Sequence, residues 1–185
     1  SQQGSANGTT FSGTVSGCTF NDNVVKGIYL EKADNLSFTG CDVVHSGFAK
    51  TWAAGIDVNM KFGDYAGITF SDCTVTNCGK GDATNGVGVT IKARGTGNDS
   101  PAYAASPATL DNVTVSGCEI TDCQRGVRIG EPGKLNTTPT NVTVSCTFEN
   151  NVLGDISNVT AKGNDVDALG STFVGAADLA AVEAR

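Results

Sequence analysis

The sequence predicts an all-β solenoid, one domain over residues 1–185, with short strands coiled about a single axis. Three observations predict it. A phrase centred on cysteine recurs five times, as Val15-Ser16-Gly17-Cys18-Thr19-Phe20, Phe38-Thr39-Gly40-Cys41-Asp42-Val43, Phe70-Ser71-Asp72-Cys73-Thr74-Val75, Val115-Ser116-Gly117-Cys118-Glu119-Ile120 and Val144-Ser145-Cys146-Thr147-Phe148. The copies are 23, 32, 45 and 28 residues apart, so the phrase holds while its connections vary, which marks a stacked repeat. Composition agrees: 24 glycines, few aromatics and abundant Thr, Val, Asn and Ser suit short strands and turns and disfavour long helices.

Each repeat divides into three strand phrases. The first is Gly-Ile/Val-x-Leu/Val/Ile, at Gly27 to Leu30, Gly55 to Val58, Gly88 to Ile91 and Gly126 to Ile129. The second is the alternating run before each cysteine, and the third starts at the cysteine and alternates again. Period-two alternation broken by Gly, Asn and Asp is the strand signal. In register, Cys18, Cys41, Cys73, Cys118 and Cys146 form one inward stack, and Asn23, Ser46, Cys78, Cys123 and Asn151 a second. Apolar stacks follow at Val15/Phe38/Phe70/Val115/Val144, Phe20/Val43/Val75/Ile120/Phe148 and Ile28/Ile56/Val89/Val127. The cysteines read as buried packing thiols, with disulfides between neighbouring coils and a metal cluster as alternatives.

Charge and composition exclude some classes. A net charge of −7 argues against a nucleic-acid binder. There is no run of 18 apolar residues for a membrane span. Seven cysteines leave at least one unpaired within the chain. Seven Asn-x-Ser/Thr sequons occur, but Asn35, Asn112, Asn141 and Asn158 share one Asn-Leu/Val-Ser/Thr turn that the fold itself favours. The polar N-terminal stretch reads as a mature or trimmed chain.

Three strands per turn at this repeat length resemble the right-handed parallel β-helix of pectate lyases and related carbohydrate-active proteins. The resemblance covers the coils at about residues 11–160, or about five to six turns, and concerns the fold pattern rather than a catalytic motif. Such folds usually carry an amphipathic N-terminal helix, which residues 1–10 cannot form. That predicts either a piece of a longer solenoid or a partner chain capping its N-terminal end. Residues 161–185 read as a capping segment, with a short Ala-rich helix at 176–185. The resemblance also implies a secreted or cell-surface protein.

The variable loops fall on both flanks of the first strand, at 45–54 and 79–86 before it and at 61–66, 95–111 and 130–140 after it. Loops on two sides of one sheet predict a groove over that sheet, where loop length usually carries function. In β-helix carbohydrate enzymes the substrate lies over this sheet, so the resemblance implies the same place. The lysines and arginines of the coils lie on the first strand or these loops, which suits an anionic ligand. The outward columns are Tyr29, Asp57, Thr90, Arg128 and then Glu31, Asn59, Lys92, Gly130, with Lys61 and Arg94 beyond. The second strand shows only Ser and Thr outward.

For an acidic-polysaccharide lyase, Lys92 or Lys61 would be the base and Arg128 or Arg94 the carboxylate clamp, with Arg125 beside them. Glu31, Asp57 and Asn59 offer oxygen ligands for a Ca²⁺ ion. Tyr29, Trp52, Tyr65 and Tyr103 offer sugar-stacking surfaces. A glycoside hydrolase would need two carboxylates, from Asp57 with Asp64 or Asp57 with Glu31. The only histidine, His45, precedes Ser rather than Gly and reads as a loop residue. A non-catalytic carbohydrate-binding or structural module is the third class. The lyase reading leads, with a polysaccharide or glycan as partner and neither nucleic acid nor membrane.

Overall fold

The computed structural model describes residues 8–95, 100–134 and 136–159, and the backbone of a strand at Thr172–Val174. In chain order the elements are β1 (Phe11–Ser16), β2 (Thr19–Asn21), β3 (Lys26–Leu30), β4 (Ala33–Thr39) and β5 (Asp42–Val44). There follow β6 (Ala54–Met60), β7 (Asp64–Ser71), β8 (Thr74–Thr76), β9 (Val87–Ala93) and the helix α1 (Pro101–Ala105). The last are β10 (Thr109–Thr121), β11 (Val127–Ile129), β12 (Thr140–Glu149), β13 (Ile156–Asn158) and β14 (Thr172–Val174). Every ladder between these strands is parallel and joins one turn to the next, as a solenoid requires. Among the described residues no helix is long and apolar enough to cross a membrane.

The first-strand phrases form a five-stranded sheet, β13-β11-β9-β6-β3, in the expected register. Ile28, Ile56, Val89, Val127 and Ile156 line up on its inner face. The glycine that opens each phrase is required by close approach. A Cβ at Gly55 would sit 2.7 Å from the Gly88 carbonyl oxygen and 3.0 Å from Cys78 Sγ, and one at Gly88 would meet Gly126 and Cys123 in the same way. Gly55→Ala is therefore expected to lower stability by about 1–3 kcal/mol through overpacking, read as a lower denaturation midpoint. An unchanged midpoint would contradict this packing.

The second and third strand phrases share one hydrogen-bonded sheet of nine strands folded around a corner. A single left-handed residue makes that corner in the first four coils (Gly17, Gly40, Asp72, Gly117), so pairing continues around it. The fifth coil lacks this residue: Ser116 pairs with Ser145, and the register resumes at Glu119 with Thr147. Left-handed residues also sit near the start of the second strand, at Asn35, Gly67, Asn112 and Asn141. Three of the four shared sequon asparagines thus occupy the expected turn. Asn158, in β13, is not left-handed.

The core fills the coil interior. Six cysteines are buried and Cys18, in the first coil, is exposed; all seven are free thiols. Each buried thiol donates to a carbonyl of the preceding turn, Cys73 to Phe38 at 3.7 Å and Cys123 to Val75 at 3.4 Å among them. The Phe38 and Phe70 rings stack at 5.0 Å between centroids. Outward on the second strand the column Thr14, Ser37, Thr69, Thr114, Thr143 is in register as read from the sequence.

One boundary expectation changes. β14 pairs in parallel with β12, so part of the segment expected as a cap is one more strand of the solenoid. The helix expected at 176–185 lies outside the described residues. At the other end the first coil is largely exposed, including Phe11, Val24 and Val25. His45 is a surface corner residue with positive φ, its Nδ1 2.7 Å from Asp22 Oδ1 and its ring stacked on Phe48.

Candidate functional site

The outer face of the five-stranded sheet is not an open groove. All seven residues of β6 and of β9 are buried, the outward ones included. Asp57, Asn59, Thr90, Lys92, Arg94 and Arg128 are each less than a tenth exposed, because the flanking loops fold over them. The loop at 79–86 is held by two hydrogen bonds within it and two to the sheet side. Asp82 Oδ1 accepts from the backbone N–H groups of Thr84 and Asn85, the Asn85 carbonyl accepts from Arg128 at 2.5 Å, and Gln124 donates to the Ala83 carbonyl at 2.6 Å. The loop at 130–137 is fastened by Glu131, and by Thr137, whose N–H donates to the Ala93 carbonyl at 3.0 Å.

Beneath these loops lies one continuous charge network. Asp57 sits in the outward column between Tyr29 and Thr90 and pairs with both Lys26 and Lys92, the latter at 3.2 Å. Lys92 is also 3.4 Å from Glu131, which holds Arg94 at 2.5 Å. Arg94 Nε donates to Asn59 Oδ1 at 2.7 Å, and Asn59 donates to the Tyr29 hydroxyl at 3.0 Å. Tyr29 and Lys61 both bond to Glu31. Lys26 lies over the Tyr29 ring at 3.9 Å. Buried charges survive in this way only when paired and hydrogen-bonded.

Between the two loops a cavity of about 230 Å³ remains. Its buried floor is Lys92, Arg128, Glu131 and Asp82; its rim is Thr51, Trp52, Asn85, Pro132 and Lys134. Trp52 is 57% exposed and holds a positive φ of 63°, a strained backbone for a bulky residue. On either side of Arg128 in its column, Thr90 Oγ1 and Ser157 Oγ are buried without a hydrogen-bond partner.

The electrostatics separate the two candidate lysines. Lys92 loses most to burial, and although Asp57 and Glu131 oppose that loss, its ammonium pKa is lowered from the ordinary lysine value. Burial acts on Lys61 too, but the bond to Glu31 and the neighbouring charges outweigh it and raise its pKa. Lys92 is thus the better base and Lys61 a permanent cation. Burial pushes Tyr29 up to about 12, helped by its bond to Glu31, so it stays protonated.

A family model described as a right handed beta helix region matches residues 5–178. The chain belongs to the right-handed β-helix family. Comparison with curated proteins and with solved structures gives no match. A β-helix of this kind is compatible with a carbohydrate-active protein.

Within this β-helix the residues suggested by sequence divide into groups. Lys92, Arg128 and Trp52 meet at the cavity. Tyr29, Glu31, Asp57, Asn59, Lys61 and Arg94 join the network around it. Tyr103 lies on α1, with its ring 5.1 Å from Phe62 and Lys61 5.7 Å above it, away from the cavity. Arg125 is half-buried in the turn before β11 and does not line the cavity. Tyr65 is buried, donating to the Lys61 carbonyl at 2.7 Å, so it offers no stacking surface.

Asp64 is a correction. It opens β7 in the other sheet, exposed, and accepts from Thr109 at 2.6 Å, so it cannot face Asp57 across a substrate. The Ca²⁺ ligand set does not fit either. Glu31 is taken by Tyr29 and Lys61, Asp57 by two lysines, and the Asn59 oxygen by Arg94. Among the described residues no three His, Cys, Asp or Glu side chains converge as metal ligands. Sequence reasoning missed Glu131, Asp82, Asn85 and Gln124. All four lie on turns or loops whose lengths differ between coils, so no repeat register assigns them a direction.

Proposed function

We propose that the cavity binds a uronate unit of an acidic polysaccharide and that the protein is a lyase acting by β-elimination. One observation carries this reading: a buried lysine of lowered pKa and a buried arginine share the floor of a cavity rimmed by an exposed tryptophan. Arg128 keeps its proton and neutralises the sugar carboxylate, which acidifies the neighbouring C5–H. Thr90 and Ser157 supply hydroxyls beside that charge. Lys92, in its deprotonated form, takes the C5 proton, and the electron pair forms the C4–C5 double bond as the C4–O bond breaks. Lys92 then returns the proton to the leaving oxygen, so the step is balanced without a further reactant.

Incubation with alginate, pectate and glycosaminoglycans tests the reading through the ultraviolet absorbance of the unsaturated product. A rise with at least one polymer is expected. Flat absorbance with all of them, with and without Ca²⁺, overturns it; reducing ends released without that absorbance would assign hydrolysis instead.

A further inference from the structure

We propose that the cavity admits a single sugar-acid residue at a chain end, so that the protein acts on termini rather than along the interior of a polymer. This rests on the uronate reading above and specifies its mode.

Three observations lead there. The cavity, at about 230 Å³, lies below the roughly 300–1,000 Å³ of sites that enclose drug-sized ligands, and so has room for about one sugar ring. Its two lateral directions are closed by structure. Beyond Lys92, Glu131 clamps Arg94, Arg94 is bonded to Asn59, and the 130–137 loop pairs with the end of β9 through Thr137 and Ala93. On the Arg128 side, the 79–86 loop is pinned onto the sheet by the Asn85 carbonyl, so the cavity is walled at the leading ends of the strands as well. A polymer continued along the sheet towards β6 and β3 would have to displace the buried, paired charges of Asp57, Lys92 and Lys26, each costing several kcal/mol, so the cavity is a dead end on that side.

The third observation is the asymmetry between floor and rim. The floor groups are buried, whereas Thr51, Trp52, Asn85 and Pro132 are exposed, so entry runs from the rim inward. Arg128 is the floor cation that meets the carboxylate of the one ring that enters. Trp52, held in a strained conformation at the mouth, is the stacking surface for the ring that enters.

Titration calorimetry with galacturonate, glucuronate and mannuronate, and with their oligomers of two to six units, tests the mode. The expected result is that affinity rises by less than about tenfold from one unit to six. Trp52→Ala should weaken monomer and hexamer by the same factor while leaving the thermal midpoint in place. Affinity that climbs about tenfold with each added unit would overturn the end-specific mode and leave uronate binding standing. Absence of binding by every monomer and oligomer would instead overturn the uronate reading. Oligomers blocked at each end in turn add a second readout: one block should abolish binding, and equal binding of both blocked forms would again overturn the end-specific mode.

Discussion

Lys92→Met is expected to lower elimination by about 10²–10⁴-fold. Among the described residues Lys92 is the only lysine on the cavity floor, and its pKa is lowered by burial, with Arg94 and Arg128 adding to the shift. The wild-type rate should therefore rise with pH through a midpoint below the ordinary lysine value of about 10.4, and Lys92→Met should lack that limb. Methionine removes a cation from between Asp57 and Glu131, so a folding defect could imitate lost chemistry. Lys92→Arg separates the two. A guanidinium keeps both ion pairs but holds its proton, so the variant should remain folded and stay inactive. An active Lys92→Arg protein would remove lysine from the mechanism.

Asp57→Ala is expected to cost about 3–5 kcal/mol of stability, measured by denaturant unfolding. Asp57 is 1% exposed and joins Lys26 to Lys92, so its loss takes a carboxylate from two cations under the loops. Burial by itself would raise the Asp57 pKa, but Lys92 and Lys26 outweigh it and hold the carboxyl below its usual range. A depressed folded pKa stabilises the protein above the unfolded value of about 4 and loses that contribution as pH falls through the folded pKa. The gap in thermal midpoint between wild type and Asp57→Asn should then be full at neutral pH and shrink only below about pH 4. A gap that does not change with acidification would show that Asp57 carries no net charge in the folded state.

The fold was legible in the sequence because a solenoid writes its register directly into it. Each inward position recurs with the coil, and Cys41, Cys73, Cys118 and Cys146 occupy equivalent buried places as the phrase predicts. The outward columns on the five-stranded sheet followed from the same register, which brought Asp57, Lys92 and Arg128 together before any coordinates. What alternation cannot express is which partner a side chain takes. It ranked Asn59 and Glu31 as free oxygen donors, whereas the structure spends both on cations. Nor could it show that the loops close over the sheet, because that depends on contacts such as Asn85 to Arg128 between segments with no repeat relation. The edge between the second and third strands was similarly opaque: a corner of one left-handed residue, or of none in the fifth coil, lets the two strands share one sheet.

The shortened corner of the fifth coil bears on how such a protein tolerates change. The loss of one residue between Ser145 and Cys146 is absorbed within the bend, and both flanking strands keep their partners in the coil before. The circumference of a turn is thus adjustable at its far corner without rotating the strands opposite. For the charged face this works as slack in a belt. Single-residue gains and losses can be taken up where only Ser and Thr face outward, while Asp57, Thr90 and Arg128 stay stacked in line on the side that carries the cavity.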